Sequence, residues 1–186
     1  IDDVRPYDDA GPHSWDTVLA GALGMRPQKV GAEVQHMPAM EHGFLEDRYP
    51  RVAIVDIEPA IRQLRMVKSA AEIDVMRQAG IVGNAMMDAA VDMIKEGVPE
   101  YETALAVMAA GTRKAAEFIS EENLVTPLIH ELVLLQSGPD TAMLHRRAST
   151  RTYRRGDPVH IGLGGTLTLR HYSLGLDRTF YLGEVS

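Results

Sequence analysis

The 186-residue chain contains no cysteine. Disulfides, thiolate nucleophiles, iron–sulfur clusters and zinc knuckles are therefore excluded together. That fits a reducing compartment, and a cytoplasmic protein is expected. Basic charge is also short: 19 Lys and Arg stand against 26 Asp and Glu, a net charge of −7. A nucleic-acid partner, which needs an excess of positive charge on one face, is not expected. No apolar run approaches the roughly 20 residues of a membrane span, so no membrane partner is expected. The chain opens Ile1-Asp2-Asp3-Val4, with no initiator Met, basic segment or apolar stretch of a signal peptide, and reads as a processed or truncated product. What is present, 45% hydrophobic and 24% charged residues, is ordinary globular composition with room for one medium domain or two small ones.

Residues 1–60 read as short α/β units. Ser14 is placed to cap a helix over Trp15–Leu23 that Gly24 stops. Val30–Val34 is a short strand candidate, Met37–Arg48 a helix with Pro38 at its start, and Arg51–Ile57 a β-branched strand that Pro59 ends. A boundary between two regions is expected near 58–66. Ser69 and Glu72 have capping-box spacing and open a helix from Ala70 to about Lys95, with small and apolar residues recurring every three or four positions. Gly97 follows it, and Pro99 opens a second, Ala-rich helix, Glu100–Ile119.

Beyond residue 127 the pattern becomes β. Glu131–Gln136 reads as a buried strand and Ser137–Asp140 as a turn. Arg146–Arg155, with five arginines, reads as an exposed loop. Val159–Gly165, Thr166–Ser173 and Thr179–Leu182 read as antiparallel strands of a curved sheet, bent at glycines.

Several residues are candidates for chemistry. His145 follows a tight turn, and an imidazole with a reference pKa of about 6.5 gives and takes protons at neutral pH. From the residue alone, a surface histidine in an Arg-rich loop is the stronger reading. Asp177 lies on an expected strand, where it can hold a cationic group or act as acid or base. Its neighbour Arg178 points to the opposite face and makes a poor partner, although an ion pair with a loop arginine remains open. Gly162-Leu163-Gly164-Gly165 lacks the Lys-Ser/Thr pair and helix start of a phosphate loop. His160 and His171 can meet across strands, but two histidines without carboxylates are a weak metal signal, and core or paired histidines are the stronger reading. The methionines of the helices fit packing better than a cofactor role.

In motif and order the chain resembles the creatinase/prolidase/methionine-aminopeptidase superfamily, peptidase family M24, the pita-bread fold. Leu64–Ile73 with Met76-Arg77 and Ala79-Gly80 resembles the entry to the catalytic domain. Gly97-Val98-Pro99-Glu100-Tyr101-Glu102-Thr103-Ala104 fits its second helix. Gln136-Ser137-Gly138 up to His145, Arg155–Val159 and Asp177-Arg178-Thr179-Phe180 fit its first sheet strands. The resemblance implies an α/β (α+β) chain. Residues 1–60 would be the latter part of a creatinase-like N-terminal domain. Residues 61–186 would be the first half of a pita-bread catalytic domain, two long helices then a curved antiparallel sheet, with the C-terminal half absent.

Two departures direct the functional expectation. Metal-dependent members place an Asp where this chain has Gly162 and a second where it has Gly175, and glycine offers no side-chain ligand. The resemblance is therefore to the metal-free branch, with creatinase and ectoine hydrolase. It implies a metal-independent hydrolase of a C–N bond in a small nitrogen-rich molecule, needing no metal and no cofactor. His145 falls at the proton-transfer position. Asp177 falls where creatinase has a Glu that holds the cationic guanidino group. One methylene less sets the carboxylate about 1.5 Å farther back. Tyr172 is a further pocket residue. The implied partners are a small-molecule substrate and a second copy of the chain in a homodimer, with the remaining catalytic groups in the missing half. Two alternatives stand beside this: a metal-dependent Xaa-Pro dipeptidase or aminopeptidase relative with a displaced ligand set, and a non-catalytic pita-bread binding module.

Overall fold

A computed structural model describes residues 5–9, 11–120, 125–130, 134–163 and 167–184. The chain divides into two compact units, Ile1–Val67 and Lys68–Ser186. Among the described residues, no helix is long and apolar enough to cross a membrane.

In the first unit, helix α1 (Trp15–Leu23) starts after Ser14 and ends at Gly24, whose φ of 74° is open to a residue without a Cβ. Strand β1 (Lys29–Ala32), helix α2 (Ala39–Arg48) and strand β2 (Ala53–Asp56) form a β–α–β unit, the two strands parallel from Lys29–Ala53 to Ala32–Asp56. Leu45 and Tyr49 are buried under α2. The Tyr49 hydroxyl donates to the Gly24 carbonyl at 3.1 Å. Trp15 meets Phe44 edge-on at 5.3 Å, tying α1 to α2. Helix α3 (Glu58–Met66) occupies the stretch where the sequence suggests a boundary. Pro59 lies in its first turn, where a missing N–H costs nothing, so it starts a helix as well as following a strand.

The second unit begins with α4 (Ala70–Met93). Its capping box is formed on both sides: Glu72 N–H donates to Ser69 Oγ at 3.3 Å, and Ser69 N–H to Glu72 Oε2 at 2.6 Å. Helix α5 (Glu100–Ala116) packs on it through Ala79, Val82, Met86 and Ala90 against Ala104, Val107 and Ala115, all buried. The helices meet closely because of Gly111: a Cβ there would lie 2.8 Å from Met86 Cγ and Sδ.

Strands β3 (Leu134–Ser137), β4 (Pro158–Gly162) and β7 (Asp177–Tyr181) form an antiparallel sheet in the order β3-β4-β7. Leu135, Val159 and Ile161 project from one face into the helical core, with Phe180 packed beside them. Each such burial contributes about 1.5–3 kcal/mol. Strands β5 (Leu167–Leu169) and β6 (Tyr172–Leu174) pair separately and pack on α4. Of the expected strand Thr166–Ser173, residues 167–173 are thus part of a hairpin, and Thr166 lies outside the described residues. Arg170 and His171, at φ 49° and 66°, make the left-handed turn that a two-residue hairpin requires.

The Arg-rich segment 146–155 is an exposed loop only in part: Arg147, Arg154 and Arg155 are exposed, whereas Arg151 is partly buried and Tyr153 buried. Residues 149–153 run along the start of α5. Tyr153 N–H donates to Val98 O, Gly97 N–H to Tyr153 O, and Glu100 N–H to Arg151 O, each at 2.9 Å. Tyr153 is 1% exposed, and its hydroxyl donates to Thr103 Oγ1 at 2.8 Å. Burial pushes this phenol up to about 12. Arginine composition misleads because Arg151 is an internal ion-pair partner.

Candidate active site

Side chains alternate across a strand, so burying Val159 and Ile161 turns His160 and Gly162 to the opposite face of β4. The register completes two rows there. One is Gln136–His160–Thr179, the other Leu134–Gly162–Asp177. His160 Nδ1 lies 3.2 Å from Thr179 Oγ1, and His160 Nε2 3.9 Å from Asp177 Oδ1.

Asp177 leans across β4. A Cβ on Gly162 would lie 2.2 Å from Asp177 Oδ1, so the carboxylate occupies the room that the glycine leaves. The Asp177 side chain is 55% exposed, open to a ligand on that side. The Arg178 guanidinium donates to the Asp177 backbone carbonyl at 2.7 Å, leaving the carboxylate to His160. Alternation on the strand predicts that separation of neighbours. His160 is a functional candidate that the sequence pairs with the wrong residue. His171 lies in the β5–β6 turn, outside this sheet, and the two histidines do not meet. The missing signal is register, which no local pattern encodes.

His145 lies after the 3₁₀ turn Gly138–Ala142, exposed, with φ 56°. Left-handed backbone is disfavoured for a residue with a Cβ. The loop is tied to β3 by Leu135 N–H donating to Arg146 O at 3.2 Å and by the side chain of Gln136. Arg146 pairs with Asp140 at 3.0 Å.

Beneath this turn lies a polar network unmarked in the sequence, because its members are scattered over more than fifty positions. Glu100, fully buried, accepts from Ser137 Oγ at 2.6 Å, Ser149 N–H at 2.8 Å and Ser149 Oγ at 2.6 Å. Arg151 donates to Ser137 Oγ at 2.6 Å and grips Asp157 bidentately at 2.7 and 3.0 Å. Burial works against charge on Asp157, but the Arg151 guanidinium and the Arg154 N–H outweigh it and hold the carboxyl below its ordinary range. The Asp157 carboxylate in turn raises Arg151. Gly138, at φ 56°, lets both side chains close over the turn, since a Cβ would lie 2.7 Å from Asp157 Oδ1.

Tyr172 sits on β6, outside the three-stranded sheet. Its hydroxyl donates to Glu72 Oε1 at 2.7 Å. The Ser69 N–H and then the Tyr172 hydroxyl lower the Glu72 carboxyl to about 2. The structure thus gathers Asp177, His160 and Gly162 on one sheet face, fastens the His145 loop to its edge strand, and gives the Tyr172 hydroxyl to α4.

The profile of metallopeptidase family M24 matches residues 74–186. Creatinase from Bacillus sp. (strain B-0618) is 32% identical over 163 residues, 88% of this chain and 38% of that protein. The probable dipeptidase PepE of Mycobacterium tuberculosis is 31% identical, covering 90% of this chain and 41% of its own length. The solved prolidase from Pyrococcus furiosus superposes with a TM-score of 0.74 at 24% identity, over 93% of this chain and 47% of that one. The pita-bread fold and mixed α/β class expected from the sequence are borne out. The chain spans less than half the length of these relatives.

A metallopeptidase family implies a metal, and the residues described here do not fit one. Among them no group of three or more His, Asp or Glu is placed to hold an ion. A ligand side chain at 162 would need the space that Asp177 already fills.

Proposed function

Since the chain belongs to metallopeptidase family M24, a family of hydrolases, we propose that its protein hydrolyses a C–N bond in a small, nitrogen-rich, creatine- or ectoine-like molecule without a bound metal. The observation that carries this is the carboxylate of Asp177 lying over Gly162, half-exposed, where a side-chain ligand would otherwise stand. A carboxylate so placed attracts a cationic or hydrogen-bond-donating nitrogen group.

Hydrolysis of such a bond requires water to lose a proton and the leaving nitrogen to gain one. In this reading His145 does one of these, and Asp177 holds the substrate's cationic end. His160 Nε2 stands 3.9 Å from that carboxylate on the same sheet face. A homodimer that takes this small molecule and neither nucleic acid nor membrane belongs to the same proposal.

The metallopeptidase family and the likeness to the probable dipeptidase PepE support a second reading, a metal-dependent dipeptidase, for which the sequence motifs raise the expectation of Xaa-Pro substrates. The two separate on the full-length protein after exhaustive chelation. Retained turnover of a creatine- or ectoine-like compound, lowered about 10²- to 10⁴-fold by His145→Ala, supports the first. Activity confined to Xaa-Pro dipeptides, lost on chelation and restored by a divalent ion, refutes it.

A further inference from the structure

The His145 loop has little packing of its own. Met143 is 50% exposed and Leu144 87%, and His145 itself is exposed. A left-handed residue with a Cβ carries a steric cost, so bonds to the backbone on either side of His145 favour the turn.

Gln136 does this. It sits on β3 in register with His160, only 5% exposed, and both ends of its amide are used on the loop. Its Nε2–H donates to Met143 O at 2.9 Å, and its Oε1 accepts from Arg146 N–H at 3.1 Å. The two bonds bracket Leu144 and His145. They satisfy a backbone carbonyl and a backbone amide as an adjacent strand would, beside the Leu135 N–H bond to Arg146 O and the Arg146–Asp140 ion pair, and they leave the tip between them to project.

We propose that Gln136 is a positioning residue, whose amide fixes the left-handed turn and so the direction of the His145 imidazole. The inference rests on the role given to His145 above. Glutamine suits the task because it carries a donor and an acceptor on one planar group. An ionised Glu keeps the acceptor and loses the donor, Met loses both, and Asn is one methylene too short.

The experiment compares Gln136→Glu, Gln136→Met, His145→Ala and the double variant Q136M/H145A in the full-length protein, with creatine- and ectoine-like substrates. The expected order of kcat is wild type, then Q136E, then Q136M, the last lowered roughly 10- to 100-fold, as misplacement of a reacting group by about 1 Å implies. KM should stay within about twofold, since Asp177 and not His145 holds the substrate. The double variant should fall no lower than H145A, because Gln136 acts through His145. Hydrogen exchange at the Arg146 amide should accelerate in Q136M while the Ile161 amide in β4 stays protected, which separates loss of the clamp from unfolding. Should Q136M not fold, the same exchange and kcat readings on Q136E decide. If H145A abolishes turnover while the Gln136 variants keep wild-type kcat and Arg146 exchange, the positioning role is overturned and His145 stands. If H145A leaves turnover intact, the reading of His145 falls, and this proposal with it.

Discussion

Replacing Gly162 with Ala adds one methyl to the face where Asp177 lies. That methyl would stand 2.2 Å from Asp177 Oδ1, 2.6 Å from Leu134 Cδ1 and 3.0 Å from Leu134 Cβ. To reach ordinary contact at 3.4 Å the carboxylate must retreat by about 1.2 Å. It can do so into solvent, since its side chain is 55% exposed. Leu134 must also shift, and overpacking of this kind costs about 1–3 kcal/mol. With one partner free to swing away, about 1 kcal/mol is expected, a fall in Tm of about 2–4 °C for a domain of this size. The functional cost is larger in proportion. At an effective dielectric constant of about 20, a charge pair at about 4 Å is worth about 4 kcal/mol, and separating it by a further 1.2 Å or so removes about 1 kcal/mol. Screening at this half-exposed site reduces that. G162A should therefore raise KM about two- to fivefold with kcat largely kept. The control is Gly175→Ala, where an added Cβ meets nothing within 4 Å. Steady-state kinetics on both variants, with thermal melts, make the test. If KM rises no more in G162A than in G175A, the carboxylate does not work from the place assigned to it.

Other consequences follow from the network and the helix cap. Glu100→Ala strands Ser137 and Ser149 in a buried site and should cost about 3 kcal/mol in a denaturant titration, against well under 1 kcal/mol for the exposed Glu96. Asp157 has a folded pKa below its ordinary 3.8, so its contribution to stability is complete above that pH and is lost as pH falls through the lower folded value. Asp157→Asn should therefore flatten the acid limb of stability against pH. Tyr172→Phe removes one of the hydrogen bonds that hold Glu72 near 2, and carbon-detected NMR titration of that carboxyl should show its pKa rise toward 4.5.

What the sequence reveals depends on the range over which each feature is encoded. The start of α4 is legible because Ser69 and Glu72 satisfy each other within four residues. Helix α3 is not, because Pro59 reads equally as the end of a strand and the first turn of a helix. The packing of 149–153 on α5 is hidden because arginines usually face water, whereas Arg151 is spent on Asp157 and Ser137. His145 and Asp177 stand out as titratable residues in suggestive places. The pairing of Asp177 with Gly162 and His160, and the grip of Gln136 on the loop, depend on strand register and on residues far apart in the chain. The interior polar network is illegible for the same reason.

The most direct test is turnover of a creatine- or ectoine-like compound by the full-length protein freed of metal by chelation and checked by elemental analysis. Undiminished hydrolysis that disappears with His145→Ala is the predicted result. Hydrolysis that stops on chelation, returns with a divalent ion and is indifferent to His145 would contradict it.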